Sequence, residues 1–266
     1  MTIPSLKLNN GVTIPSLGIG TWKLADGAEA FNAVKWALEL GYRHIDTAAI
    51  YGNEKSVGKA IAASGVKRED IFVTTKLWND DQQSARRAFD SSLKRLGLDY
   101  VDLYLIHWPQ PQTHFGAWKE LEKIYADGKC RAIGVSNFSI QHLQELLPEC
   151  GVAPAVNQVE FSPFLYQKEL LEFCRGKRMV LEAYSPLTRG RRLDDGRVEA
   201  IAQKHAKSSA QVLLRWSLQH GNVVIPKSSH KERLAQNMAV FDFELPASEM
   251  AGLDGLDEGY RIVPGP

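Results

Sequence analysis

One feature narrows the fold more than any other: a recurrence along the chain. Eight short apolar runs each end in a polar or aromatic residue, and amphipathic helical stretches lie between them. The runs cover 17–21, 44–47, 71–76, 101–107, 132–136, 155–158, 179–184 and 223–227. Asp46, Lys76, His107 and Asn137 close or follow successive runs at intervals of 30, 31 and 30 residues. That interval is the length of one strand-plus-helix unit. Parallel neighbours need helical crossovers, and eight such units can close on themselves. The recurrence predicts an α/β chain folded as a (β/α)8 TIM barrel. Ahead of it, Leu6 and Leu8 alternate with polar residues and Asn10-Gly11 offers a positive-φ turn. This segment is expected to form an N-terminal β-hairpin covering the barrel bottom.

Local signals set the helix ends. The stretch 28–40 stops at Gly41, and 82–96 stops at Gly97. Asn53 is expected to cap the helix that runs to Ala63, and Ser139 the one that starts at Ile140. Ser208 with Gln211, and Ser229 with Glu232, read as capping boxes. No low-complexity linker divides the 266 residues, so one domain spanning 1–266 is expected.

Composition excludes several classes. Lys+Arg number 32 and Asp+Glu 31, a balance of +1 that argues against a general nucleic-acid binder. The three cysteines (Cys130, Cys150, Cys174) are scattered, which speaks against a disulfide framework or a zinc site. No apolar stretch approaches a membrane span and no leader pattern opens the chain, so a cytoplasmic location is expected.

In barrels of this kind, reactive groups sit where strands end at their carboxyl side. The residues closing the runs here include Trp22, Asp46, Lys76, His107, Ser136, Asn137, Gln158, Tyr184, Lys227 and Ser228. Asp46, Tyr51, Lys76 and His107 form the chemically richest set. A free phenol near pKa 10 donates protons poorly at neutral pH. A neighbouring ammonium lowers that value, and a carboxylate keeps the ammonium charged and in place. A neutral imidazole can orient a carbonyl. The four together suit protonation of a carbonyl oxygen while hydride reaches its carbon. Singly, each has a structural reading: half-buried ion pairs for Asp46 and Lys76, a satisfied core histidine for His107, loop packing for Tyr51.

Tyr51 and Lys55 also fit a Tyr-xxx-Lys pattern of short-chain dehydrogenases. Gly18-Ile19-Gly20 lacks the third glycine that their dinucleotide turn requires, so Lys55 reads as a solvated helix residue. At 225–237, Lys227, Ser228 and Arg233 surround a helix start, which makes an anion site. A basic, solvated helix start is the alternative. Tyr184 can stack on a flat ring, and Ser136, Asn137 and Gln158 can hydrogen-bond a carboxamide. Trp22, Trp78 and Trp108 can wall a substrate pocket or simply pack. No metal-ligand spacing and no Walker loop occurs.

GYRHIDTAAIYGNE, TTKLW, VDLYLIHWP, IGVSNF, NQVEFSP, AYSPL and IPKSSHKERLAQN resemble, in order and spacing, the aldo-keto reductase superfamily. The resemblance runs from about Leu6 to about Val263 and is closest to bacterial 2,5-diketo-D-gluconate reductases. It implies NADPH bound in extended form by a monomer. It makes Tyr51 the general acid, Lys76 and Asp46 its tuning pair, and His107 the carbonyl-orienting group. Cofactor contacts are implied at Thr21, Trp22, Asp46, Ser136, Asn137, Gln158, Tyr184, Ser185, Leu187, Lys227, Ser228, Ser229, Arg233, Gln236 and Asn237. Substrate contacts are implied at Trp22, Tyr51, Trp78, His107 and Trp108. The segment after His107 and the tail after Gly259 are short, which implies an open, broadly selective pocket. Ser162 stands where many relatives carry His.

The expected activity is NADPH-dependent reduction of aldehydes and ketones, with 2,5-diketo-D-gluconate and methylglyoxal among the candidates. The rivals are a Schiff-base aldolase using Lys76 or Lys227, and a non-catalytic NADPH-binding accessory subunit.

Overall fold

The computed structural model describes residues 3–263. All eight apolar runs supply parallel strands. Two short strands precede them, β1 (Ser5–Lys7) and β2 (Thr13–Pro15). The barrel strands are β3 (Ile19–Gly20), β4 (His44–Asp46), β5 (Phe72–Leu77), β6 (Val101–Ile106), β7 (Cys130–Ser136), β8 (Val156–Glu160), β9 (Val180–Tyr184) and β10 (Val223–Val224). They are hydrogen-bonded in chain order. The last returns to the first: Val224 N donates to the Ser16 carbonyl (2.8 Å) and Gly18 N to the Val224 carbonyl (2.9 Å). Among the described residues, ten α-helices accompany them: α1 (Ala28–Leu40), α2 (Glu54–Ala63), α3 (Ala85–Leu96), α4 (His114–Ala126), α5 (Ile140–Leu146), α6 (Lys168–Gly176), α7 (Gly196–Lys204), α8 (Ser209–Gln219), α9 (Lys231–Met238) and α10 (Ala247–Asp254). None is long and apolar enough to cross a membrane.

Strand alternation divides the core in two. Leu103 and Leu105 of β6 pack with Phe72, Val156 and Val223, while Tyr104 and Ile106 pack with the helix layer through Phe89, Trp118 and Leu214. Leu8 and Ile14 of the hairpin join the inner cluster. Asn9 Nδ2 and Asn10 Nδ2 donate to the carbonyls of Pro154 and Arg131 (both 2.9 Å), which ties the hairpin across the barrel bottom. Its turn is wider than the Asn-Gly pair alone: Leu8 N donates to the Val12 carbonyl, and of the pair only Gly11 has positive φ.

The glycines of Gly18-Ile19-Gly20 serve packing. A Cβ on Gly18 would lie 2.8 Å from the His44 ring, and one on Gly20 would lie 2.7 Å from the Ile225 carbonyl oxygen. Backbone and imidazole meet there only because the side chain is missing.

The caps at Ser139 and Ser208 form as expected, as does the left-handed Gly41 after α1. Three boundaries differ. Asn53 sits at the start of α2 but makes no cap; its amide donates to the carbonyls of Thr21 and Leu24, and it accepts from Thr47. The stretch from 82 begins as a 3-10 turn (Asn79–Ser84) before α3. The Ser229–Glu232 box is absent: α9 starts at Lys231 with His230 at its cap position, and Ser228 Oγ accepts from His230 N instead.

Candidate active site

Asp46 ends β4 and Lys76 lies near the end of β5, where neighbouring parallel strands bring them side by side. Lys76 Nζ donates to Asp46 Oδ1 (2.6 Å), to the Thr47 carbonyl (2.9 Å) and to Tyr51 Oη (3.3 Å). The three protons of its ammonium thus have three acceptors. Tyr51 reaches this point from a one-turn 3-10 helix (Ala49–Tyr51) after β4. His107 follows β6 and stands edge-on to Tyr51 and Trp78, with ring centroids 5.7 and 5.2 Å apart.

These groups open into a cleft of about 1060 Å³ at the carboxyl ends of the strands. Asp46, Tyr51, Trp22, Trp78, His107 and Trp108 line it. Lys227, Ser228, Ser229, Arg233, Gln236 and Asn237 line it too. Ser136, Asn137, Gln158, Tyr184, Ser185 and Leu187 also line it. Two expected residues do not. Lys76 is fully buried behind Tyr51, and the buried Thr21 hydroxyl faces Asn53 (3.5 Å).

Burial raises the pKa of Asp46 against the pull of Lys76 and Gln158. Burial pulls Lys76 down, but Asp46 and Tyr51 outweigh it and leave its pKa raised. The phenol departs from expectation. Burial, helped by the Asp46 and Glu182 carboxyls, outweighs the Lys76 ammonium and pushes Tyr51 up to about 12. The ammonium still acts downward, yet loss of water around the phenolate is the larger effect. Burial, then Lys76, holds His107 well below the usual imidazole range, so its ring is neutral. Its Nδ1 is buried without a partner among the described residues, which leaves Nε2 to serve the cleft.

The amide cluster is locked. Asn137 has φ 63°, a left-handed geometry that asparagine tolerates. Its Nδ2 donates to the His107 carbonyl (3.0 Å) and Ser136 Oγ (3.1 Å), and its Oδ1 accepts from Tyr184 Oη (2.8 Å). Gln158 Nε2 donates to Asp46 Oδ2 and Glu182 Oε2 (both 2.8 Å). Only its Oε1 remains to accept from a ligand.

Several wall residues escaped the sequence reading. Arg189 lies over the Trp22 ring (4.2 Å) from a loop in which Ser185, Thr188 and Arg189 all have positive φ. Buried Glu160 accepts from Ile262 N (2.7 Å) and Val263 N (2.9 Å), which brings Val263 to the cleft. The basic run 189–192 was a visible hint, whereas nothing local in NQVEFSP marks Glu160 as a tail anchor.

The aldo/keto reductase family model matches residues 16–258. The chain is 52% identical to glyoxal reductase of Bacillus subtilis (strain 168), over 98% of this chain and 96% of that protein. It is 47% identical to methylglyoxal reductase DkgA of Yersinia pestis, over 99% and 96%. The crystal structure of Bombyx mori aldo-keto reductase (AKR2E4) in complex with NADP matches with a TM-score of 0.93 at 39% identity, over 99% of this chain and 96% of that one. Barrel, strand-end cluster and whole-length similarity agree: the chain belongs to the aldo/keto reductase family.

Proposed function

We propose that this protein is an NADPH-dependent carbonyl reductase that turns small aldehydes and ketones, 2-oxoaldehydes such as methylglyoxal and sugar-derived diketones such as 2,5-diketo-D-gluconate among them, into alcohols. One observation carries the reading. Lys76 donates to the Tyr51 oxygen, so the phenol's own proton is free to point into the cleft. A phenol held near 12 is fully protonated at neutral pH and gives its proton only when an alkoxide-like oxygen develops beside it. Neutral His107 can donate from Nε2 to the same oxygen and fix the carbonyl's orientation.

The cleft suits an extended dinucleotide. Part of its lining is basic: Arg233 has no ion pair or hydrogen bond among the described residues, and Lys227 has only long contacts, to Ser229 Oγ (3.5 Å) and to Glu29 (3.9 Å). A phosphate there would meet two cations and the start of α9. The same cleft is lined by the amide cluster and Tyr184. Bound NADPH supplies the hydride. Gln158 Oε1 is the acceptor open to a carboxamide, and Tyr184 is held against Asn137 where it can flank a flat ring. Lys227, Ser228, Arg233 and Asn237 would hold the adenosine phosphate. Trp22, Trp78 and Trp108 wall the substrate. In this reading the enzyme works as a cytoplasmic monomer, which sedimentation at working concentration would test.

The rivals lack support. A Schiff-base lysine must be a free amine, whereas Lys76 donates all three protons and pairs with Asp46. An accessory subunit would have no use for the intact set of four. Tyr51→Phe is expected to keep NADPH binding, followed by fluorescence, and to lose about 10²-fold or more of turnover with methylglyoxal. Near-normal turnover would overturn the general-acid role.

A further inference from the structure

The barrel interior buries one carboxyl that the mechanism above leaves unused. Glu182, in the middle of β9, is fully buried. Its Oε2 accepts from the same Gln158 nitrogen that donates to Asp46. Its Oε1 has no hydrogen-bond partner among the described residues and lies 3.4 Å from His44 Nε2. The other nitrogen of that ring, Nδ1, faces the Pro15 carbonyl at 3.4 Å. A carbonyl oxygen only accepts, so Nδ1 carries the ring proton and Nε2 presents a lone pair. That lone pair can accept from the Thr74 hydroxyl (3.2 Å), so Nε2 has no proton to give Oε1; the two are acceptors face to face, a repulsion that a proton on Glu182 relieves. The ring is wedged in place, with Gly18 against one side and Phe72 edge-on at 5.0 Å. Charge counting agrees. Two carboxyls, Asp46 and Glu182, are buried with a single ammonium, Lys76.

We propose that Glu182 is a positioning residue: it keeps a proton aimed at His44 and, through Gln158, fixes the Asp46–Lys76 pair behind Tyr51. This rests on the carbonyl-reductase reading. The groups facing it are His44 and Asp46 from β4, Thr74 and Lys76 from β5, and Gln158 from β8. Val223, its neighbour on β10, brings no charge. Tyr51 stands beyond Lys76.

Burial, then the Asp46 carboxylate, pushes the Glu182 carboxyl up to about 8, while burial holds His44 down to about 3. The proton therefore sits on Glu182 at neutral pH and leaves in mild alkali. Its loss places a second negative charge beside Asp46, and that charge raises the pKa of both Lys76 and Tyr51. The phenol then holds its proton to higher pH, which opposes alcohol oxidation, the direction that needs a phenolate.

Glu182→Gln separates charge from shape. The new amide can donate to His44 and accept from Gln158, but it cannot ionise. In infrared difference spectra of cofactor-free protein between pH 7 and pH 10, the wild type is expected to lose a protonated-carboxyl band that Glu182→Gln lacks. With NADP+ and an alcohol, the alkaline rise of kcat is expected at lower pH in Glu182→Gln, about threefold faster oxidation at a given pH on the limb. Glu182→Ala leaves Gln158 unsupported and is expected to lower kcat about tenfold with little change in KM, a loss that Glu182→Gln restores. A wild type without the band, or superposable pH profiles for wild type and Glu182→Gln, overturns the proposal. If the wild type reduces no carbonyl compound, the reductase reading falls, and the infrared band alone decides where the proton sits.

Discussion

Lys76→Met is the sharpest probe of the buried pair. It removes the ammonium 2.6 Å from Asp46 and substitutes an apolar chain of similar length. Asp46 is 2% exposed and, among the described residues, keeps only the Gln158 amide as donor. Breaking a buried pair on one side typically costs about 3–5 kcal/mol. The structure also sets a ceiling, because the stranded carboxylate can take up a proton. Starting from 3.8, that uptake costs roughly 1.36 kcal/mol per pH unit, about 4 kcal/mol at pH 7 and under about 2 at pH 5. In the variant, the folded-state pKa of Asp46 lies above its unfolded value, so the deficit is small in acid and grows as pH rises. Asp46→Asn added to Lys76→Met removes the stranded charge and is expected to recover most of the stability. The assay is thermal unfolding by far-ultraviolet circular dichroism at pH 5 and pH 7. At roughly 2–4 °C per kcal/mol, the pH 7 deficit is a fall of about 8–16 °C in Tm. A deficit that does not change with pH, or a double variant no better than the single, would refute the reasoning.

Other outcomes follow from the same geometry. Arg233→Ala is expected to weaken NADPH binding by about 10–100-fold, the worth of a charge-assisted hydrogen bond, and NADH far less; calorimetric titration that finds equal losses would put the phosphate elsewhere. Glu160→Ala releases the backbone at Ile262 and Val263, so KM for a bulky aromatic aldehyde is expected to change while kcat for methylglyoxal holds; identical kinetics for both substrates would show that the tail does not wall the cleft. Glu182 also marks the stability profile. Its folded value, about 8, lies above the ordinary 4.5, so its contribution is fully present below 4.5 and is lost as pH rises through 8. Glu182→Gln is therefore expected to gain on the wild type across that window, by at most about 5 kcal/mol, with a plateau above it. Parallel unfolding curves for the two proteins from pH 5 to pH 9 would contradict this.

Much of the barrel was legible because its signals are local and periodic. Apolar runs of strand length, spaced one unit apart, leave few arrangements that bury them, and the side chains at their ends inherit the same rim. The errors share a cause. Asn53 and Ser229 carry capping chemistry, but Asn53 spends its side chain on the carbonyls of Thr21 and Leu24, and α9 starts two residues after Ser229 with no side-chain cap. The partners of Asn53 lie 32 and 29 residues away, on backbone that only folding brings near. Thr21 and Lys76 likewise belong to the right strand ends yet do not line the cleft: Thr21 turns to Asn53, and Lys76, on the same strand face as Asp46, is covered by the Tyr51 phenol to which it donates.

The sequence determined the order of elements, the rim on which chemistry sits and the residue types that meet there, because these follow from hydrophobic period and unit length. Tertiary structure alone decided how acidic those residues are. Tyr51 keeps its proton because burial outweighs one ammonium, and Glu182 turned out to share Gln158 with Asp46, 136 residues away along the chain. Desolvation and long-range charge depend on what surrounds a group in three dimensions, and no local stretch of sequence contains that information.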